Sequence, residues 1–360
     1  MPVHVVFFVL GLGALVLGGE LLVRGASKIA LSLGISPLVV GLTIVAMGTS
    51  SPEAAVSVGA VLNGSTDIAV GNVVGSNIFN LLLILGISAV ITPLTVHSQI
   101  IRQEVPIMIG ASLILAVLII DGQLARLEAA LLLVLLVAYL VFLVRQSRAE
   151  TKEIRDEYAA GVSRRGGWDS HWTVQVLIIA AGLGLLVLGS DWLVDAAVAF
   201  ARAFGVSDLV IGLTIIAAGT SMPEVATSIV AAIRGERDIA VGNVIGSNTL
   251  NILGCLGMSG VASSTGLQIA PAVLNFDLWV MIAVAVASLP AFLLRRRIGR
   301  RRGLLFVAYY VAYVVYLILG ARQHDALEEF STVMLSFVIP LTIVTLVAMV
   351  IRDQKRRDDG

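Results

Sequence analysis

Residues 41–86 read GLTIVAMGTSSPEAAVSVGAVLNGSTDIAVGNVVGSNIFNLLLILG, and residues 212–257 read GLTIIAAGTSMPEVATSIVAAIRGERDIAVGNVIGSNTLNILGCLG. At a constant offset of 171 the two stretches match at 28 of 46 positions. A chain that repeats itself this closely is built from two copies of one structural unit. The repeat also reaches upstream, because residues 11–20 (GLGALVLGGE) return as residues 182–191 (GLGLLVLGSD). The first apolar segment therefore reads as part of the mature fold and not as a removable signal peptide.

The solvent for this fold is the bilayer. Of 360 residues 58% are hydrophobic and only 13% charged. Soluble domains carry roughly 25% charged residues. A mean hydropathy of +0.98 is too high for a water-soluble core to absorb. The formal net charge is zero, so the charge balance points to no nucleic-acid or acidic partner. Cys255 is the one cysteine, which excludes an intramolecular disulfide, and His4, His97, His171 and His324 fall at or near segment ends. A His/Cys metal cluster is not expected, nor is a cofactor.

Apolar spans are expected near 3–23, 37–62, 68–92, 100–120, 125–145, 173–195, 208–233, 239–262, 273–294, 303–320 and 331–351, eleven transmembrane helices. The fold class is thus an all-α polytopic membrane protein. Residues 1–145 form a first five-helix repeat, 146–172 a charged linker, 173–320 a second repeat, and 321–360 an extra helix with a basic tail. Five is odd, so the second copy enters upside down. Inverted repeats are a transporter signature, with the substrate site at their interface near the midplane. With the N-terminus outside and the C-terminus inside, 21 of the 24 Lys and Arg residues fall on the cytoplasmic face. The 295–302 run RRRIGRRR sits on that face and reads as an anchor beside anionic lipid.

The repeated motifs interrupt apolar helices. Gly48-Thr49-Ser50-Ser51-Pro52-Glu53 lies midway along 37–62, and Gly219-Thr220-Ser221-Met222-Pro223-Glu224 midway along 208–233. Proline removes an N–H and clashes one turn back, so carbonyls around Ala46, Thr49, Ala217 and Thr220 are expected to be freed. Unpaired backbone at membrane depth is tolerated only where protein, water or an ion satisfies it. Glu53 and Glu224 are the acids placed at mid-depth, where a charge costs at least about 2.5–3.5 kcal/mol. The second motif pair is Gly75-Ser76-Asn77-Ile78-Phe79-Asn80 and Gly246-Ser247-Asn248-Thr249-Leu250-Asn251. In both halves the glutamate and the last asparagine are 27 residues apart. Ser76, Asn80, Ser247 and Asn251 read as ligands. Asn72, Asn77, Asn243 and Asn248 serve equally well as interhelical hydrogen-bonding groups. Asp67 and Asp238 read as N-caps, and Glu20 and Asp191 as access-path or packing residues. Two carboxylates, amides, hydroxyls and carbonyls make an oxygen-only site, which suits hard cations such as Ca²⁺ with its 6–8 oxygen ligands. Two negative charges balance one Ca²⁺ or two Na⁺.

The paired GTSxPE and GNVxGSNxxN motifs resemble the two α-repeats of the sodium/calcium exchanger family, within the calcium/cation antiporters. The resemblance covers residues 1–320 in architecture and 41–86 and 212–257 in motif. It implies a Na⁺/Ca²⁺ antiporter, not an enzyme, working by alternating access as the first and sixth helices slide against the rest. It implies that Glu53 and Glu224 bind Ca²⁺ with the carbonyls of Thr49 and Thr220. The Ala46 and Ala217 carbonyls and the Ser76 and Ser247 hydroxyls would add sodium sites, with Asn80 and Asn251 lining the centre and Ser50 and Ser221 beside it. Asn251 stands where potassium-dependent and some prokaryotic relatives carry aspartate, which favours the prokaryotic potassium-independent type. The large regulatory loop of animal exchangers has no counterpart between the halves. The expected partners are Ca²⁺, Na⁺ and the lipid of a cell or inner membrane, with a monomer as the working unit. Alternatives are a Ca²⁺/H⁺ antiporter of the same fold, since adjacent carboxylates raise each other's proton affinity, and a cation channel. A hydrolase is disfavoured, with no histidine at the depth of Ser50 or Ser76.

Overall fold

The computed structural model describes residues 2–33, 35–149, 171–205, 211, 215, 217–293, 296–321, 324, 326–341 and 343–344. It is a bundle of long apolar helices. Among the described residues eight are long and apolar enough to cross a membrane: α1 (Val3–Leu33), α4 (Thr66–Ile91), α5 (Ile100–Leu118), α6 (Arg126–Ser147), α7 (Trp172–Ala203), α9 (Arg237–Ala262), α10 (Val273–Leu293) and α11 (Arg300–Ala321). Helices α2 (Pro37–Thr49) and α3 (Ser51–Leu62) meet at a 42° bend and count as a ninth span if taken together. Helix α8 (Met222–Arg234) belongs to the span expected over 208–233, the rest of which falls partly outside the described residues. Helix α12 (Ala326–Val333) opens the one expected over 331–351, and much of the 146–172 linker also lies outside them.

Two helices are longer than expected. No proline or glycine pair stops α1 at 23 or α7 at 195, so each runs on for 31 or 32 residues. At 1.5 Å per residue that is roughly 47 Å, more than the ~30 Å hydrocarbon core. These two helices cross in opposite directions, with Gly11 against Gly189 and Gly18 against Gly182. A Cβ on Gly18 would lie 2.8 Å from the Gly182 carbonyl oxygen, and one on Gly182 would lie 2.9 Å from that of Gly18. Only glycine lets the backbones meet this closely.

Helices α4 and α9, which carry the GNVxGSN motifs, form the centre. The most apolar stretch of α9 is wholly buried, whereas that of α11 is almost wholly on the surface. Helix α9 is the less apolar of the two, with a mean hydropathy of 1.4 against 2.2 for α11. In lipid it is the span with Asn and Ser side chains that belongs inside, where neighbouring helices supply hydrogen-bond partners. Among the described residues four two-residue strands tie the ends together: β1 (Leu94–Thr95) pairs antiparallel with β4 (Arg297–Ile298), and β2 (Gln123–Leu124) with β3 (Leu267–Gln268). Helix α5 runs from β1 to β2, while α10 runs from β3 to β4. The pairing therefore forces these two helices to run in opposite directions.

Asp67 and Asp238 are not N-caps. Ser65 and Glu236 occupy those positions, and the aspartates sit in the first turns of α4 and α9. There a carboxylate still meets the positive end of the helix dipole.

Candidate functional site

Both breaks have the same local geometry. Ser50 has φ −81° and ψ 5°, and Ser221 has φ −90° and ψ 7°. Neither continues the α-helix, and a new helix starts one residue later with proline in its first two positions. Proline is tolerated there because the first-turn N–H groups have no helical partner. Glu53 and Glu224 follow in the first turn, at the positive end of the new helix. The Ala46 carbonyl, expected to be free, instead accepts from the Ser50 N–H at 2.9 Å and the Thr49 hydroxyl at 3.4 Å. The bond that Pro52 removes is the one to the Gly48 carbonyl, four residues earlier, so Ala46 keeps its partner.

The two breaks face each other. Glu53 and Glu224 are both 0% exposed and within electrostatic reach of one another. Ser50 Oγ donates to Glu224 Oε1 at 3.0 Å, and Ser221 Oγ donates to Glu53 Oε1 at 2.9 Å. Each half thus supplies the hydroxyl that orients the other half's carboxylate. Ser221 Oγ also approaches Ser76 Oγ at 3.2 Å, and Ser247 Oγ approaches Glu224 Oε1 at 3.5 Å. Glu53 Oε2, Glu224 Oε2 and Asn80 Oδ1 are buried with no hydrogen-bond partner. Buried polar atoms are ordinarily satisfied, and these three oxygens remain free to coordinate a ligand.

The asparagines complete the frame. Asn77 Nδ2 donates to the Asn248 carbonyl and Asn248 Nδ2 to the Asn77 carbonyl, both at 3.2 Å. Asn80 Nδ2 donates to Asn248 Oδ1 at 3.0 Å, and Asn251 Nδ2 to Asn77 Oδ1 at 3.2 Å. Asn80 and Asn251 each open a π-helical turn, Asn80–Ile84 and Asn251–Leu256. Such turns widen a helix locally and recur at functional positions. Asn72 and Asn243 donate to Ser57 and Ser228 at 3.0 Å and accept from Thr220 and Thr49. Of the expected ligands, Glu53, Glu224, Thr49, Ser50, Ser221, Ser76, Ser247, Asn80 and Asn251 are buried together, Thr220 is half-buried beside them, and Ala46 and Ala217 precede the breaks.

Several groups escaped the sequence reading. Ser57 and Ser228 are identical in the two copies, so the repeat could have flagged them. Cys255 lies against Ser50 and Asn251. Glu104 is a further fully buried carboxylate, accepting from Tyr139 Oη at 2.9 Å and Gln99 Nε2 at 3.2 Å. Asp277 accepts from Tyr313 at 2.9 Å in the other half. Both acids end π-helical turns, and no motif announces either. Glu20 pairs with Arg234, 2.8 Å from Nε to Oε2, joining α1 to the end of α8.

The comparisons with known proteins agree with this architecture. The family described as "Sodium/calcium exchanger protein" matches residues 3–145 and 174–319. The putative antiporter CaxA of Alkalimonas amylolytica is 41% identical over 323 residues, covering 87% of this chain and 98% of that relative. The sodium/calcium exchanger MaX1 of Methanosarcina acetivorans is 34% identical over 353 residues, covering 88% and 99%. The solved structure of the sodium-calcium exchanger NCX_Mj soaked without Na⁺ and Ca²⁺ is similar at a TM-score of 0.74 and 31% identity, over 87% of this chain and 98% of that one. This multi-pass membrane chain belongs to the sodium/calcium exchanger protein family.

Proposed function

We propose that the protein exchanges Na⁺ for Ca²⁺ across a cell or inner membrane by alternating access, as a monomer. The observation that carries this reading is the pair of fully buried glutamates, each oriented by a serine of the opposite half and each with one oxygen unpartnered. Glu53, Glu224 and Asn80 offer oxygens to a cation, with the Thr49 and Thr220 carbonyls and the Ser50, Ser221, Ser76 and Ser247 hydroxyls around them. Asn251 completes the wall, and the Ala46 and Ala217 carbonyls stand in reserve for a rearranged state. Oxygen donors of this kind suit Ca²⁺ and Na⁺. The empty site carries two carboxylates that water no longer solvates, so moving it empty through an occluded state is costly. Filling it with one Ca²⁺ or two Na⁺ removes that cost, which couples the two fluxes.

The halves act as inverted repeats, a reading supported by the antiparallel crossing of α1 and α7 and by the pairing of β1 with β4 and β2 with β3. Eleven spans then put the N-terminus outside and the C-terminus in the cytoplasm. The abundant hydroxyls and amides favour sodium over protons as the counter-ion. A Ca²⁺/H⁺ antiporter is the second reading, favoured by the closeness of the two carboxylates.

Proteoliposomes loaded with Na⁺ and diluted into Na⁺-free buffer test the assignment through ⁴⁵Ca²⁺ uptake. Wild type takes up Ca²⁺ in response to internal Na⁺, with no requirement for K⁺. Glu53→Gln and Glu224→Gln each lose at least about 30-fold, the lower bound for removing one partner of a buried charge pair. Uptake driven equally by a proton gradient without Na⁺ would replace sodium by protons.

A further inference from the structure

The two halves of the site differ at one wall position. The repeat sets Cys255 against Ile84, a thiol against a hydrocarbon, at the 171-residue offset. The Cys255 thiol has two acceptors within reach, Asn251 Oδ1 at 3.5 Å and the Ser50 carbonyl oxygen at 4.0 Å, and the shorter contact is to Asn251. The thiol is buried and within electrostatic reach of both Glu53 and Glu224. Asn80 Oδ1, the equivalent of Asn251 Oδ1, has no partner. The amide nitrogens of Asn80 and Asn251 are engaged alike, each with an asparagine Oδ1 of the other half. The difference in the oxygens therefore comes from the thiol and not from a rotated amide.

We propose that Cys255 is a positioning residue that occupies the Asn251 amide oxygen and leaves Asn80 as the amide ligand, making an otherwise two-fold cation site one-sided. The inference rests on the reading of this cluster as the cation site. A thiol is a weak donor, so it tunes coordination without abolishing it. Weakening one amide oxygen as a ligand loosens the hold on Ca²⁺, which fills 6–8 positions, and so eases its release.

The test uses the full-length protein and the half-saturating Ca²⁺ concentration of ⁴⁵Ca²⁺ exchange. Cys255→Ala frees the Asn251 oxygen and tightens Ca²⁺ about 2- to 10-fold, the worth of one hydrogen bond. Cys255→Ser keeps a hydroxyl donor in place and does not tighten it. The gain from Cys255→Ala disappears when Asn251 is also changed to Ala, because the two act on one oxygen. Asn80→Ala weakens Ca²⁺ about 10-fold more than Asn251→Ala does. Equal effects of Cys255→Ala and Cys255→Ser, or a gain that survives Asn251→Ala, would overturn the proposal. Saturable uptake that needs Glu53 but ignores Cys255→Ala overturns it alone. Uptake indifferent to Glu53→Gln overturns it together with the cation site.

Discussion

The crossing of α1 and α7 offers a sharp test of how the bundle is held. A methyl added at Gly182 would lie 2.8 Å from the Leu22 nitrogen and 2.9 Å from the Gly18 oxygen. Real Cβ atoms essentially never come under 3.0 Å of another heavy atom, and fewer than one in ten come under 3.4 Å. Gly182→Ala must push the helices apart by about half an ångström. Both clashing atoms are backbone and cannot swing aside. Overpacking of this kind costs about 1–3 kcal/mol, against which alanine recovers about 1 kcal/mol of helix propensity. Gly184 lies two residues along the same helix with nothing within 4 Å of its would-be Cβ. Gly184→Ala therefore keeps the propensity gain and pays no clash. The two variants should differ by about 1–3 kcal/mol, read from SDS-induced unfolding in mixed micelles. Gly182→Ala should be the less stable, and under the proposed alternating access, with α1 and α7 moving together, its Na⁺-driven uptake should fall with it. Equal stability of the two variants would refute the close crossing and with it the idea of a locked helix pair.

Other outcomes follow from the surrounding structure. Tyr139→Phe strips the buried Glu104 of its 2.9 Å donor and should destabilise the protein by about 1–3 kcal/mol. Adding Glu104→Gln to that variant should cost less than the sum of the singles, as a double-mutant unfolding cycle would read. Glu236, at the N-terminus of α9, has its proton affinity raised by burial first and further by the neighbouring Asp238. The folded state then holds this proton more tightly than the unfolded chain. Its contribution is most favourable below the ordinary glutamate value of about 4.3 and is lost as pH rises through the higher folded value. Measured unfolding curves for wild type and Glu236→Gln should diverge across that window, with wild type losing stability relative to the variant as pH rises.

The legible part of the site was the part written twice. Glu53, Glu224 and the Ser and Asn residues of the repeated motifs could be found because an acid after a helix-breaking proline has few other meanings in an apolar segment. Glu104 and Tyr139 were not legible, because their pairing joins α5 to α6 across 35 residues with no repeated pattern. The expected capping by Asp67 and Asp238 failed because one more residue of each helix forms ahead of the aspartate. The expected freeing of the Ala46 carbonyl failed because hydrogen-bond registry places the proline's missing partner at Gly48.

By itself the sequence determined the solvent, the helical class and the two-copy architecture. Hydropathy and a repeat are properties of the chain that need no contacts to be read. Tertiary structure decided the pairing. It set Ser50 on Glu224 and Ser221 on Glu53, brought Asn77 and Asn248 to each other's backbone, and left one oxygen of each glutamate unpartnered. It also turned a one-residue difference between the copies, Cys255 against Ile84, into a difference between two amide oxygens. A repeat shows which residues are equivalent, but only packing shows which of them meet, because hydrogen bonds depend on distances that offset alone does not fix.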